Sequence, residues 1–178
     1  MTEPEWLEGT DPDVMLDFMF EKTSRRKIEL YTSGSYRSVW HLLTDERCRQ
    51  KLDMRDRYFD GLATEAALDS AIRAADDIPH HVWLAAWDSI PPRRHVQVLQ
   101  DLFGNPFRPA SIAPACLTPE VVALAQTIYD TYAFDRLPVL ADALEEAGCD
   151  NPEILNHCRG PGPHVRGCWA VDLVLGKE

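Results

Sequence analysis

The chain has 178 residues, 45% of them hydrophobic and 26% charged, which is typical of a globular protein and not of a disordered one. Its formal net charge of −11 argues against nucleic acid or an anionic membrane as a partner. Its apolar runs fall far short of the roughly 20 residues that span a bilayer, and its acidic N-terminus is unlike a signal peptide. We therefore expect a cytoplasmic protein with reduced cysteines.

Helix start signals recur along the chain. Asp11, Thr118 and Asn151 are good N-cap residues, and each precedes a proline that would occupy the first helical position. Together with apolar residues at helical spacing, these signals predict helices over 3–8, 12–20, 24–43, 45–60, 64–77, 80–89, 92–103, 119–132, 136–147, 152–158 and 165–175. Weak alternation over 171–175 leaves a terminal strand as an alternative to the last helix. The predicted fold is all-α, a compact multi-helix bundle that ends in a helical hairpin.

Residues 104–118 form the one long loop of this prediction, because three prolines and a glycine interrupt any helix there. We expect a single helical domain over 1–178, with 1–103 and 119–178 as candidate subdomains joined by this loop. A long ordered loop is also where a binding surface would lie. The side chains that we assign to such an interaction surface are Phe103, Phe107 and Arg108.

Charge is unevenly distributed near the N-terminus. Residues 1–20 carry six acidic side chains and no basic one, whereas residues 21–60 carry ten basic and seven acidic side chains. Pairing within the protein is the simpler interpretation, and a basic helix face that binds an acidic partner is the alternative.

Aromatic and imidazole side chains cluster in the following region. Trp83 and Trp87 are four residues apart, which predicts a stripe on one helix face that packs in the core. The neighbouring imidazoles make at best a weak metal pair, so we interpret them as surface or capping residues: His80, His81 and His95.

The C-terminal stretch from His157 to Trp169 has the most specific local chemistry of the chain, with the sequence HCRGPGPHVRGCW. Its ligand types would suit zinc or iron, with His157, Cys158, His164 and Cys168 as the metal ligands. His164 and Cys168 are four residues apart and would share a helix face. However, His157 and Cys158 are adjacent and diverge by about 100° on a helix. The alternative is that the thiols are buried and the imidazoles bond to the backbone.

The same stretch allows two other interpretations. Arg159 and Arg166, with His164 near a helix N-terminus, would make an anion pocket for a small-ligand enzyme. Alternatively, the arginines pair with helix carbonyls or nearby acids. Thiol catalysis would need a cysteine beside one of the tail histidines or beside His41, and no complete catalytic motif is present, so we assign no catalytic residue.

Several segments resemble an uncharacterised bacterial family of unknown function. The shared motifs are a WHLLTDER block at 40–47, an FGNPFRP loop at 103–109 and an HCRGPGxHVRGCW tail at 157–169. The resemblance covers nearly the whole chain, but it implies no activity. Many members of the family carry a Cys-Cys pair where this chain has Ser35 and Tyr36, so a cofactor held there in relatives would be missing here.

Three hypotheses for function follow. The leading one is a non-enzymatic interaction or adaptor module that has no cofactor and binds a protein, because the chain has strong helix punctuation and no catalytic motif. The second is a zinc or iron protein that uses the C-terminal histidines and cysteines. The third is the small-ligand enzyme with its anion pocket at Arg159, Arg166 and His164.

Overall fold

A computed structural model describes residues 1–178 and contains α-helices and no strand. The all-α fold predicted from the sequence is therefore confirmed. No helix is both long and apolar enough to cross a membrane. The eleven helices are α1 Glu3–Leu7, α2 Pro12–Phe20, α3 Arg25–Arg37, α4 Glu46–Phe59, α5 Glu65–Ala74, α6 His80–Asp88, α7 Pro92–Phe103, α8 Pro119–Thr131, α9 Leu137–Glu146, α10 Pro152–Arg159 and α11 Trp169–Leu175.

The helix boundaries follow the cap signals where these are strong. The side chains of Asp11, Thr118 and Asn151 each accept hydrogen bonds from backbone amides in the first turn of α2, α8 and α10. Such a cap satisfies donors that have no partner within the helix and is worth about 1 kcal/mol. The prolines that follow them occupy the first helical position, as predicted.

Helix α3 is shorter than predicted and ends at Arg37, not at residue 43. The hydroxyl of Ser38 donates to the carbonyl of Ser35 at 2.6 Å, a local bond that competes with continuation of the helix. A short 3-10 turn over Trp40–Leu42 follows, and Asp45 then caps α4.

The last helix also begins later than predicted, at Trp169 and not at 165. Gly167 has φ = +87°, in the left-handed region that glycine adopts readily, so a helix cannot run through it. The amide of Val165 donates to the Asp101 carboxylate at 2.8 Å. His164 and Cys168 therefore do not lie on one helix face, contrary to the prediction.

The chain folds into two compact units. The first unit comprises residues 1–9 and 99–178, and the second comprises residues 10–98. The loop 104–118 lies inside the first unit and is not the joint between the two. Helix α7 supplies residues to both units.

The core of the first unit is built from α8, α9, α10 and α11. Helix α9 packs between α8 and α10, and α11 packs against α8. Its largest fully buried side chains include Tyr129, Leu137 and Leu140. Each buried leucine contributes about 1.5–3 kcal/mol relative to an exposed one. The indole of Trp6 from α1 is buried in this unit and donates to the carbonyl of Gly104 at 2.8 Å.

The core of the second unit contains Leu43, Cys48 and Leu52, with Trp83 and Trp87 packed against it. Basic side chains of this unit pair with acidic ones from the same stretch of the chain, residues 26–60. The pairs between α3 and α4 or its C-cap are Arg26 with Asp60, Arg37 with Asp53 and Asp56, and Arg55 with Glu29.

His95 of α7 is a buried residue of the second unit. We interpreted it from the sequence as a surface or capping residue, and this was wrong, because it is only 6% exposed. Its Nδ1 lies 3.1 Å from the Tyr31 hydroxyl and 3.2 Å from the Ser35 hydroxyl. Its ring lies 4.6 Å from that of Trp87, measured between centroids. The imidazole is therefore bonded to α3 and packed against α6.

Candidate metal centre

Four potential ligands converge in the first unit: Asp101, His157, His164 and Cys168. Asp101 lies in the last turn of α7 and His157 in the last turns of α10, while His164 and Cys168 lie in the connection between α10 and α11. One ligand atom from each residue lies within 4.8 Å of every other. Three separate segments of the chain therefore bring two imidazoles, a carboxylate and a thiol to one point.

The individual distances are close to those of a tetrahedral metal shell. Asp101 Oδ1 lies 2.7 Å from His164 Nδ1 and 3.2 Å from His157 Nε2, and His157 Nε2 lies 3.0 Å from Cys168 Sγ. Zinc bonds of about 2.0–2.3 Å would separate neighbouring ligand atoms by about 3.3–3.7 Å. These three pairs are slightly closer together than a bound ion requires, whereas other pairs in the cluster are separated by up to 4.8 Å, so small shifts would be needed to bind the ion.

Burial differs around the cluster. The side chain of Asp101 is 3% exposed, that of His164 is 9% exposed, and that of His157 is 19% exposed. Cys168 is fully buried. His157 is thus the most exposed of the four side chains, and a small open cavity of about 200 Å³ borders His164.

His164 and Asp101 form a buried hydrogen-bonded pair. Asp101 Oδ1 faces His164 Nδ1, and the Gly160 carbonyl lies 3.3 Å from His164 Nε2, so both ring nitrogens face acceptors, an arrangement that favours the doubly protonated ring. Burial acts to lower the pKa of His164, but the hydrogen bond and charge of Asp101 outweigh burial and raise it. Burial acts to raise the pKa of Asp101, but its hydrogen bonds with His157 and His164 outweigh burial and lower it.

Trp169 determines the tautomer of His157. The indole Nε1 of Trp169 donates to His157 Nδ1 at 3.1 Å, and an indole N–H can only donate. In the neutral ring the proton must therefore sit on His157 Nε2, where it faces Asp101 and Cys168. The Trp169 ring is held in place by Gly104, at which a Cβ atom would lie 3.0–3.2 Å from three indole atoms.

These protonation states do not suit thiol catalysis. Burial, together with the charge of Asp101, raises the pKa of Cys168 well above its usual value, so the group is a thiol and not a thiolate. The neighbouring His157 nitrogen already carries a proton and cannot accept one from Cys168. His41, the third imidazole considered for such a dyad, is exposed in a 3-10 turn of the second unit.

Cys158 is the one metal ligand assigned from the sequence that does not join the cluster. It is fully buried in α10, and burial raises the pKa of its thiol to about 12. Its neighbour in α10, His157, belongs to the cluster. Successive side chains on a helix diverge by about 100°, so Cys158 is directed away from it. Asp101 occupies the position in its place.

Sequence reasoning missed Asp101, although a signal was available. It lies three residues after the buried Val98 and next to the buried Leu102, so helical spacing puts it on the apolar stripe of α7. A lone carboxylate on an apolar stripe needs a partner when buried. The partners of Asp101 are His157 and His164, which lie more than 50 residues further along the chain.

The two arginines assigned to an anion pocket are engaged elsewhere. Arg159 pairs with Asp142 at 2.7 Å and with Glu145 at 2.6 Å on the surface. Arg166 is 4% exposed, and its guanidinium stacks 4.3 Å from the centre of the Tyr129 ring. This arrangement, in which acids neutralise one arginine and aromatics cover the other, does not favour a free anion.

The residues assigned to an interaction surface make contacts within the first unit. The ring of Phe103 packs edge-on against Trp6 at 6.4 Å, and Arg108 pairs with Glu3. Phe107 is exposed, at 36%. The loop is thus ordered by its own contacts, and whether it binds a protein stays a prediction.

Comparisons with protein-family models, with curated proteins and with solved structures found no match to this chain. The chemistry of the cluster is therefore the main indication of function.

Proposed function

We propose that this protein binds one zinc ion per chain through Asp101, His157, His164 and Cys168. The observation that carries the proposal is the convergence of four ligand atoms of three chemical types within 4.8 Å. It is supported by charge balance, because a dication bound by one carboxylate and one thiolate leaves the buried site neutral, as burial requires.

The ligand set favours zinc over other common ions. Magnesium and calcium prefer all-oxygen shells, whereas a thiolate with two imidazoles suits zinc. Two histidines and a carboxylate also occur at non-haem iron sites, but those keep positions open for reactants. Here the Cys168 thiol would fill the fourth position, which is typical of a structural site.

The role that fits this closed shell is structural. Bound zinc would join the end of α7 to the α10–α11 hairpin and hold the C-terminal segment in place. For structural sites of this kind, the free energy of metal binding stabilises the folded state. The adaptor hypothesis stays a prediction, because no observation on the loop favours it over the metal-binding role.

Binding requires a rearrangement of protons. Metal ligands must present free lone pairs, so Cys168 and His164 would each release a proton. The ring of His157 would move its proton from Nε2 to Nδ1, which is incompatible with the hydrogen bond from Trp169. The indole must therefore lose that bond when zinc binds.

The test is elemental analysis of protein purified without an affinity tag, then reloaded with zinc and dialysed. We expect about one zinc ion per chain. Two matched variants locate it: Cys168→Ala should lose the ion, whereas Cys158→Ala, which removes an equally buried thiol that is not part of the cluster, should keep it. Protein that retains no zinc or iron, or a Cys168→Ala variant that binds as well as the wild type, would refute the proposal. Iron in place of zinc would keep the site and change the metal.

A further inference from the structure

Cys116 and Cys149 form a pair of thiols that the proposed metal centre does not use. Both side chains belong to the hydrophobic core of the first unit, and a side-chain hydrogen bond joins the two thiols. It is the one hydrogen bond between thiols among the five free cysteines of the chain. Two thiols in direct contact are the reduced form of a possible disulfide.

The backbone of each cysteine is fixed by local hydrogen bonds. Gly148 has φ = +88° and ends α9, and the amide of Cys149 then donates to the carbonyl of Leu144 at 2.9 Å. This is the Schellman arrangement of a helix C-terminus. Cys116 ends a short 3-10 turn, in which its amide donates to the carbonyl of Ala113 at 2.9 Å. The local sequence therefore determines both positions from which the sulfur atoms meet.

A second contact holds the same two segments together. The side-chain amide of Asn151, the N-cap of α10, donates to the carbonyl of Ser111 at 3.3 Å. This bond joins the loop 104–118, which contains Cys116, to the connection between α9 and α10, which contains Cys149. The segments are thus in place before any covalent link forms, and the sulfur atoms need only approach to about 2.05 Å.

The pair also lies nearer to the surface than the other thiols. Cys116 and Cys149 are 4% and 5% exposed, whereas the other three cysteines are 0% exposed. The residues that precede or follow the pair in the sequence are exposed, namely Ala115, Gly148 and Asp150. A small oxidant in solution can therefore reach these two sulfur atoms with less opening of the fold than the other cysteines would require.

We propose that Cys116 and Cys149 form a reversible intramolecular disulfide when the protein meets a disulfide oxidant such as glutathione disulfide. One cysteine thiolate attacks a sulfur atom of the oxidant, whose S–S bond breaks, so that a mixed disulfide forms and glutathione leaves. The second cysteine loses its proton, attacks the protein sulfur of the mixed disulfide and releases the other glutathione. Two cysteines are oxidised, and one glutathione disulfide is reduced to two glutathione molecules, which take up the two thiol protons. The bond joins the loop 104–118 covalently to the connection between α9 and α10.

The surroundings of Cys116 suit it to the second of these steps. Burial raises the pKa of the Cys116 thiol, and the neighbouring Cys149 and the charge of Asp150 raise it further. Only a thiolate is nucleophilic, so Cys116 is a poor group to attack an oxidant from solution. In the second step the attacked sulfur is already beside it, and the reaction is intramolecular.

The test treats the reduced full chain with glutathione disulfide under native conditions. Free thiols are then blocked with N-ethylmaleimide in denaturant, and the protein is analysed by mass spectrometry and peptide mapping. We expect a loss of about 2 Da before blocking, which is the mass of the two hydrogens removed. The map should show Cys116 linked to Cys149 and the other three cysteines blocked. Dithiothreitol should restore all five free thiols.

Two matched variants identify the pair independently of the map. Cys149→Ala should form no intramolecular disulfide, whereas Cys158→Ala, which removes another buried thiol of the same unit, should form it as readily as the wild type. The peptide map of the wild type decides the pairing even if a variant does not fold. Wild-type protein that keeps five free thiols, or that carries only glutathione adducts, would overturn the proposal. A disulfide that joins any other two cysteines would also overturn it.

Discussion

The substitution Asp101→Asn tests the cluster without any metal. The Val165 amide donates to Asp101 Oδ2 at 2.8 Å. Asparagine keeps the shape of the side chain and an oxygen that can accept this bond, but it loses the negative charge. Two contacts depend on that charge: those to His164 at 2.7 Å and to His157 at 3.2 Å. Hydrogen bonds to charged groups contribute about 1.5–3 kcal/mol each, so the free energy of unfolding should fall by about 3–6 kcal/mol.

The assay is urea unfolding followed by circular dichroism in the presence of a chelator. The control is Asp142→Asn, the same change at a carboxylate whose side chain is 68% exposed and which pairs with Arg159. An exposed pair is worth at most about 1 kcal/mol. If Asp101→Asn costs less than about 1 kcal/mol, or no more than its control, then the charged network described here does not hold the C-terminal segment.

The same two variants also test whether zinc stabilises the protein through this cluster. Free zinc at about 100 times its Kd should stabilise the wild type by about 2.7 kcal/mol through mass action. The Asp142→Asn control should show the same gain. Asp101→Asn should show little or none, and a full gain in this variant would mean that zinc binds elsewhere.

Three further predictions concern Trp169, Gly104 and His95. Zinc should change the tryptophan fluorescence of the wild type but not of Trp169→Phe, which should still bind zinc, because only the indole bonded to His157 is disturbed. Gly104→Ala should lower the free energy of unfolding by at least about 1 kcal/mol in urea, since φ = +60° is costly for alanine and its Cβ would press on the Trp169 ring. His95 has a lowered pKa in the folded state, so below its usual value of 6.5 the unfolded state binds more protons and stability falls with falling pH. The His95→Gln variant should therefore lose less stability than the wild type between pH 7.5 and 5.5 in urea titrations. An equal loss would show that the pKa of His95 is not lowered in the folded state.

The fold was predictable because its determinants are local. Caps such as Asp11 and Asn151, followed by prolines, define helix starts through contacts within one turn. The errors in helix bounds arose where a single polar contact overrides periodicity. Ser38 ends α3 early by bonding to a carbonyl of the preceding turn, and Gly167 delays α11 by its positive φ.

The metal centre was only partly predictable, since its geometry depends on contacts distant in sequence. Three of the four ligands lie within residues 157–168, and their residue types alone drew attention to them. The assumed reason for their convergence, a shared helix face for His164 and Cys168, was nevertheless wrong. Asp101 lies 63 positions before His164, and no spacing rule connects the two.

The discontinuous first unit has a consequence for the order in which the chain can fold. Residues 10–98 are contiguous, so the second unit can form as soon as α7 has been synthesised. The first unit combines two separate stretches of the chain, because Trp6 from α1 is buried beside Gly104 and α11 packs in the core with α8. The Trp6 indole therefore has no hydrogen-bond acceptor in its own unit until the chain has been synthesised past Gly104. Until then, residues 1–9 have no partner from the rest of their own unit, although the second unit can already be folded.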